Sequence, residues 1–349
     1  MTAAERRDDA VAALRRIAFL LERAQATSYR SEAFRTAANV VEQQEPARVA
    51  ALVAAGGLTE LTGVGARTAG VVELVWRGRD VPYLVELETA LAEQTAADAA
   101  QATAAARALR DALRGDLHAH TDASDGGTPV QEMLLAAIEI GHEYLAVTDH
   151  SPRLTVAHGL SPARLRAQVE QLTALGRAVA PFRVLTGIEV DILADGTLDQ
   201  EPALLDRLDV VVASVHSQLR MDRAAMTRRM LTAIRDPRTD VLGHCTGRRV
   251  LGKQRPQSEF DAEAVFAACA EHGVAVEINC RPDRLDPPDD LLALAADAGC
   301  DFAIDTDAHA PGQLDWQAEG CRRAARHGID ADRVINAWPV ELLLERTRG

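Results

Sequence analysis

The chain has 349 residues, 47% hydrophobic and 26% charged, an ordinary globular composition long enough for two domains or for one barrel with an appendage. Its formal charge of −14 is uneven: residues 1–114 carry 14 arginines against 15 acidic residues, and the remainder 24 basic against 37 acidic. That balance excludes broad non-specific nucleic-acid binding by the C-terminal part and suits a pocket where carboxylates gather around cations.

No apolar run of about 18 residues is present to span a membrane. Met1 leads into the charged stretch TAAERRDDA, which lacks the apolar core of a secretory signal. The cysteines, at positions 245, 269, 280, 300 and 321, contain no C-x-x-C pair and read as a reduced, cytoplasmic protein.

Residues 3–55 are predicted helical, with Val11, Leu14, Ile17, Leu21 and Ala24 spaced for one apolar face. In LTELTGVGARTAGVVELV, residues 58–75, helical patterns flank Gly63-Val64-Gly65. This is a helix-hairpin-helix pattern. Backbone amides at the start of its second helix, where Arg67 and Thr68 lie, can hold a nucleic-acid phosphate without basic side chains. A glycine C-cap joining two packed helices is the alternative, and the stretch alone leaves both open. Residues 89–114, rich in alanine and free of Pro and Gly, read as one connecting helix.

Beyond residue 115 short β-rich runs alternate with helical stretches: DLHAH, YLAVTDH, RVLTGIEVDI, DVVVASVH, DVLGH, VAVEIN and DFAIDTDAH. Seven such alternations predict a parallel α/β barrel over an open sheet. Nearly every run ends in a potential metal ligand. These are His118 and His120, with Asp125 in the next loop, then His150, Glu189, His216, His244, and finally Asp307 and His309. In GDLHAHTDASDG, alternate strand residues point the same way, so His118 and His120 can converge.

Parallel barrels open all strand C-termini onto one face, which would bring these nine side chains to one mouth. A lone strand-end histidine is usually a cap or a hydrogen-bonded loop residue, but that account is strained for six of them. His142, His272 and His327 read as ordinary, and His158 is expected to line the pocket. Imidazole with carboxylate, and no thiolate, suits Zn²⁺, Mn²⁺ or Fe. With Glu189 bridging two ions, nine ligands serve three divalent ions. Such clusters activate water and neutralise phosphoryl oxygens, so the reaction class is phosphoester hydrolysis. Arg248, Arg281 and Arg284, after the fifth and sixth strands, could clasp phosphate or serve as surface ion pairs.

The motifs HAHTDASDG, TDHS, GIEVDI, SVHS, GH and DTDAH, in this order, resemble the polymerase-and-histidinol-phosphatase (PHP) domain. GLSPARLRAQ, DGTLD, MTRRML, GHCTGR and EINCRPDRLD extend the likeness to the PHP domain of bacterial family-X DNA polymerases. YRSEAFRTAANVV and LTGVGARTA likewise resemble the helix-hairpin-helix domain that begins those enzymes.

The resemblance implies a distorted seven-stranded, TIM-like (β/α)7 barrel with a trinuclear site. His118, His120, Glu189 and Asp307 would hold one ion and carry the catalytic roles. Asp125, His150 and His309 would hold a second ion, and Glu189, His216 and His244 a third. The expected organisation is a helix-hairpin-helix DNA-binding-like domain at 1–88, a helical linker at 89–114 and a PHP metallo-phosphoesterase domain at 115–349.

Two departures matter. The polymerase palm would fall between the matching blocks, where only the alanine-rich segment stands, so no polymerase activity is expected. Cys245 stands where the family usually has proline. In addition, residues 1–114 contain no lysine, and arginine stays protonated, so lyase chemistry through a lysine Schiff base is not expected.

Three readings result. The first is a metal-dependent DNA phosphodiesterase, most simply a 3′→5′ exonuclease processing 3′ ends in repair, with a separate polymerase or repair factor as a conceivable partner. The second is a small-molecule phosphatase acting on an ester such as histidinol phosphate. The third is a non-catalytic DNA-binding protein.

Overall fold

A computed structural model describes residues 1–347. The chain divides into two compact units, Met1–Gln101 and Ala102 onward.

The first unit is helical: α1 (Ala3–Arg23), α2 (Ser28–Glu42), α3 (Pro46–Ala55), a 3₁₀ turn (Leu58–Glu60), α4 (Ala66–Trp76) and α5 (Pro82–Gln101). Leu14, Ile17 and Leu21 of α1 pack with Phe34, Ala38 and Val41 of α2 and Val72 of α4. Ala24, expected on that face, is instead the exposed C-cap of α1.

At the hairpin the element before Gly63 is a single 3₁₀ turn and not a full helix. Gly63 has φ +97°, and a Cβ there would stand 2.9 Å from Thr36 Cγ2, so only glycine fits without displacing α2. Gly65 caps α4, with the Thr68 hydroxyl 3.0 Å from the Gly65 N–H and accepting from it.

The segment expected as one connecting helix is two, α5 and α6 (Ala104–Ala112). Thr103 accepts from the Ala106 N–H at 3.1 Å, and this N-cap starts a new helix where alanine propensity alone would have continued the old one. α5 buries none of its residues, whereas α6 buries Ala106 and Leu109.

The second unit is a parallel sheet in the order β1 (Gly115–Asp116), β2 (Tyr144–Val147), β3 (Arg183–Asp191), β4 (Val210–Ser214), β5 (Val241–Leu242), β6 (Ala275–Asn279) and β7 (Phe302–Asp305). Between and after the strands run α7 (Val130–Glu139), α8 (Pro162–Ala178), α9 (Pro202–Leu205), α10 (Arg223–Ile234), α11 (Ala262–His272), α12 (Asp289–Asp297), α13 (Gln317–Arg326) and α14 (Val340–Thr347).

The sheet is a nearly closed, TIM-like α/β barrel. Its β7–β1 seam has one bridge, Ala119 to Ala308, and is otherwise stitched by carboxylates. Asp305 Oδ1 accepts the Leu117 N–H at 2.8 Å, and Asp116 Oδ2 accepts the Thr306 N–H at 3.1 Å.

Alternation along the strands sorts side chains to two faces. Val276 and Ile278 join the layer under the helices. Tyr144, Leu185, Val210, Val212, Val241, Ala275 and Ala303 form an apolar plug within the barrel, completed by Ile335 and Leu343 near the chain end. Among the described residues no helix is long and apolar enough to cross a membrane.

Candidate metal centre

Above the apolar plug the inward positions change character, and the side chains expected as ligands meet there. β1 ends at Asp116, shorter than DLHAH suggests, yet the chain stays extended through the Ala119 bridge. His118 and His120 therefore still share a side, fully buried with ring centroids 5.1 Å apart.

Asp125 sits on the loop that follows. Asp149 shapes that loop, accepting from the Thr121 N–H at 2.8 Å, the Thr121 hydroxyl at 2.7 Å and the Ser124 hydroxyl. His150 follows β2, Glu189 lies in β3, His216 follows β4, His244 follows β5, and Asp307 and His309 follow β7.

Glu189, 1% exposed, is the hub. Its Oε2 lies 3.4 Å from His118 Nε2, 3.6 Å from His120 Nε2 and 2.8 Å from His150 Nδ1. Its Oε1 lies 3.1 Å from His216 Nε2 and 2.8 Å from His244 Nε2. Asp307 Oδ1 is 3.3 Å from His120 Nε2 and 3.5 Å from His309 Nδ1. Asp125 Oδ1 is 3.4 Å from both His150 Nε2 and His309 Nε2.

The electrostatics follow from this crowding. Burial works against a charged His150, but Glu189 and Asp125 overcome it and push its pKa up to about 10. Burial also dominates at His120 and, with His309 and His150 beside it, holds that ring well below the usual histidine range. Glu189 is held well below the carboxylate range by His216, His118 and His150 despite complete burial. Protons on imidazoles thus offset negative charge that cations would otherwise offset, so metal loading must release protons.

The donor set fits divalent ions. His118 Nε2, both nitrogens of His120 and of His216, His150 Nδ1, His244 Nδ1 and Glu189 Oε2 are buried with no well-formed hydrogen bond. Each such orphan costs about 1–3 kcal/mol unless something binds it. Among the described residues, three sets have ligand atoms all within 4.8 Å of one another: His120/Asp125/His150/His309, His118/His120/Glu189 and His150/Glu189/His216. His120 and His150 each fall in two sets, a sharing the expected three-way partition did not contain.

The remaining expected site residues vary. Arg281 NH1 lies 2.9 Å from His309 Nδ1 and 3.5 Å from Asp307 Oδ1, and Arg284 Nε lies 3.1 Å from Asp307 Oδ2. Both stand at the cluster. Arg248 instead donates to the backbone carbonyls of Arg284, at 3.0 Å, and Leu285, so it fastens the loop that carries Arg284. His158 is exposed, at φ +56°, with its carbonyl accepting from Arg164. Cys245 is buried, with its Sγ 3.8 Å from Asp286 Oδ1. Burial and that carboxylate push the thiol well up, so it stays protonated.

Sequence reasoning passed over Glu277 and Asp191. Glu277 is fully buried, 2.6 Å from His118 Nδ1, and Asp191 accepts the His216 N–H at 3.0 Å. The available signal for the first was a lone carboxylate in VAVEIN, on the face opposite Val276 and Ile278.

Residues 116–281 match the family model described as the PHP domain. This chain carries a PHP domain. Seven of the nine clustered residues fall inside that match; Asp307 and His309 lie beyond it.

The chain is 37% identical over 237 residues to the "DNA polymerase/3′-5′ exonuclease PolX" of Bacillus subtilis, which covers 67% of this chain and 41% of that protein. It therefore spans about two fifths of that relative's length. It is 28% identical over 239 residues to a "Probable phosphatase" of Edwardsiella ictaluri, covering 65% of this chain and 91% of that one. A crystal structure of a histidinol phosphate phosphatase from Lactococcus lactis is similar with a TM-score of 0.43 at 19% identity, covering 62% of this chain and 92% of that one. With its His/Asp/Glu cluster, the PHP domain is a metal-dependent phosphoesterase.

Proposed function

We propose that this metal-dependent phosphoesterase acts on DNA as a 3′→5′ exonuclease, processing 3′ ends in repair. The convergence of five imidazoles on Glu189, with Asp125, Asp307 and His309 beside them, carries the chemistry. The 37% identity with a relative named as a 3′-5′ exonuclease favours DNA as substrate.

His118, His120, Asp125, His150, Glu189, His216, His244, Asp307 and His309 would hold the ions, Zn²⁺ or Mn²⁺, with Glu189 presenting one oxygen to each side. Bound ions would supply Lewis acidity and activation of water near neutral pH. Arg281 and Arg284 bring positive charge to the Asp307 side, where they can pair with phosphate oxygens as these gain charge. Complete burial of His118, His120 and Glu189 keeps the dielectric low and strengthens each of these interactions.

In the helical unit, the Gly63-Val64-Gly65 turn leads into the first-turn amides of α4 at Arg67 and Thr68, a setting suited to a backbone phosphate. A separate polymerase or repair factor would supply any synthesis.

A second reading, hydrolysis of a small phosphate monoester, is favoured by the match along 91% of the Edwardsiella phosphatase. One experiment separates them. The full chain with Mn²⁺ is incubated with a 3′-recessed, 5′-labelled duplex, in parallel with histidinol phosphate and an aryl phosphate. Laddering from the 3′ end that His120→Ala abolishes supports the exonuclease. Phosphate release from monoesters alone supports the second reading. Inactivity on all three substrates with metal bound supports a non-catalytic DNA-binding protein.

A further inference from the structure

β6 supplies none of the nine clustered residues, yet its inward side chains reach three of them. Ala275 belongs to the apolar plug. Two residues on, Glu277 is fully buried: Oε1 lies 2.6 Å from His118 Nδ1, and Oε2 accepts the backbone N–H of His244. Two further on, Asn279 donates through Nδ2 to Glu277 Oε2 and to Asp307 Oδ2, both at 3.2 Å. One strand thus ties together groups that follow β1, β5 and β7.

We propose that Glu277 is a positioning residue that makes His118 a ligand through Nε2 and fixes the His244 backbone, so that β6 sets metal affinity without touching metal. The inference rests on the nine residues being metal ligands. With Glu277 Oε1 accepting the Nδ1–H, the ring nitrogen left to bind an ion is Nε2, which lies on the Glu189 side. His118 Nε2 is one of the buried atoms without a well-formed hydrogen bond, and so is free to take an ion. Outer-shell carboxylates of this kind fix the ring and raise its basicity, and their loss typically lowers metal affinity about 10–100-fold.

Glutamine at this position has nearly the same shape but a single acceptor. It can satisfy His118 Nδ1–H or the His244 N–H, not both, and its amide must face the other donor.

The test uses the full-length protein and Glu277→Gln, each stripped and titrated with Zn²⁺ by calorimetry, with retained metal measured after dialysis against a competing chelator. The Gln variant should keep its circular dichroism spectrum and a cooperative melt. It should bind its tightest ion about 10–100-fold more weakly and retain fewer equivalents. Wild-type affinity and stoichiometry in a folded Gln variant would overturn the proposal, since a purely structural role would change the melt alone. Failure of even wild type to bind metal would instead sink the metal-centre reading on which this rests.

If the Gln variant does not fold, ¹⁵N-histidine NMR of the Zn²⁺-loaded wild type gives the answer. A ring protonated at Nδ1, with no proton on Nε2, should be present and should vanish in His118→Asn. The opposite tautomer for that ring contradicts the role. None of these readouts depends on DNA cleavage, so they stand or fall apart from the exonuclease reading.

Discussion

His142 shows what burial does to one residue. Its Nε2 lies 3.1 Å from Gln317 Oε1, and the Gln317 amide donates to the carbonyls of Gly115 and Ile304, at 3.0 and 2.9 Å. That orientation fixes Oε1 as an acceptor and His142 as a neutral donor. Burial, with Arg110 nearby, lowers its pKa to about 4. The sign follows: above pH ~6.5 the ring is neutral in both states and its contribution is complete. Below that the unfolded chain takes up the proton first, and stability is lost as pH falls towards 4. At about 1.4 kcal/mol per pH unit this reaches about 3 kcal/mol. Urea melts across that range should therefore show wild type losing about 3 kcal/mol more than His142→Gln; parallel pH profiles would refute the assignment. From the sequence His142 looked ordinary. Its partner is 175 residues away, and nothing local marks such a pair. The clustered ligands were legible because histidines and carboxylates at successive strand ends form a pattern that can be read without knowing contacts.

Between elements, α1 and α2 are joined by an ion pair that the apolar periodicity does not reveal. Arg35 Nε and NH2 lie 2.5 and 2.6 Å from the two oxygens of Glu22, and both side chains are buried. Removing one partner leaves a buried charge and should cost about 3–5 kcal/mol, whereas replacing both with apolar groups of similar volume should cost far less. A double-mutant cycle of Glu22→Leu and Arg35→Met, followed by urea unfolding, should give each single variant the large loss and the double variant little. Additive losses would mean that packing, not charge pairing, holds these helices. Strand number and the parallel barrel were legible from seven apolar runs, most of them closed by a histidine. Strand ends were not: DLHAH and DVLGH became two-residue ladders, β1 and β5. Where a strand stops depends on which neighbour offers hydrogen bonds, and beyond Asp116 that neighbour is the Ala308 backbone across the seam.

For the molecule entire, the two units should answer differently to metal removal. The orphaned nitrogens and the Glu189 hub belong to the unit beginning at Ala102, while Met1–Gln101 has its own apolar core. Ions bound at about 1,000 times their dissociation constant add about 4 kcal/mol to the state that binds them. Stripping them should thus lower that unit's melting temperature on the order of 10 °C. Scanning calorimetry with and without a strong chelator should show one transition shifting and the transition of the helical unit staying. A chelator that shifts neither, with metal removal verified, would count against the metal centre.

Residue identity and local periodicity alone established the chemistry available to this protein: alternating strands and helices, a ligand type at nearly every strand end, and an N-terminal part without lysine. Those features can be read because they need no partner elsewhere in the chain. Which groups serve one another emerged only on folding. Barrel closure put Glu189 between two sets of imidazoles, turned Arg248 onto the loop backbone, kept Arg281 and Arg284 at Asp307, and set Glu277 behind His118. Each of those pairings spans tens to hundreds of residues of chain and exists only because strands β1 to β7 are brought around one axis.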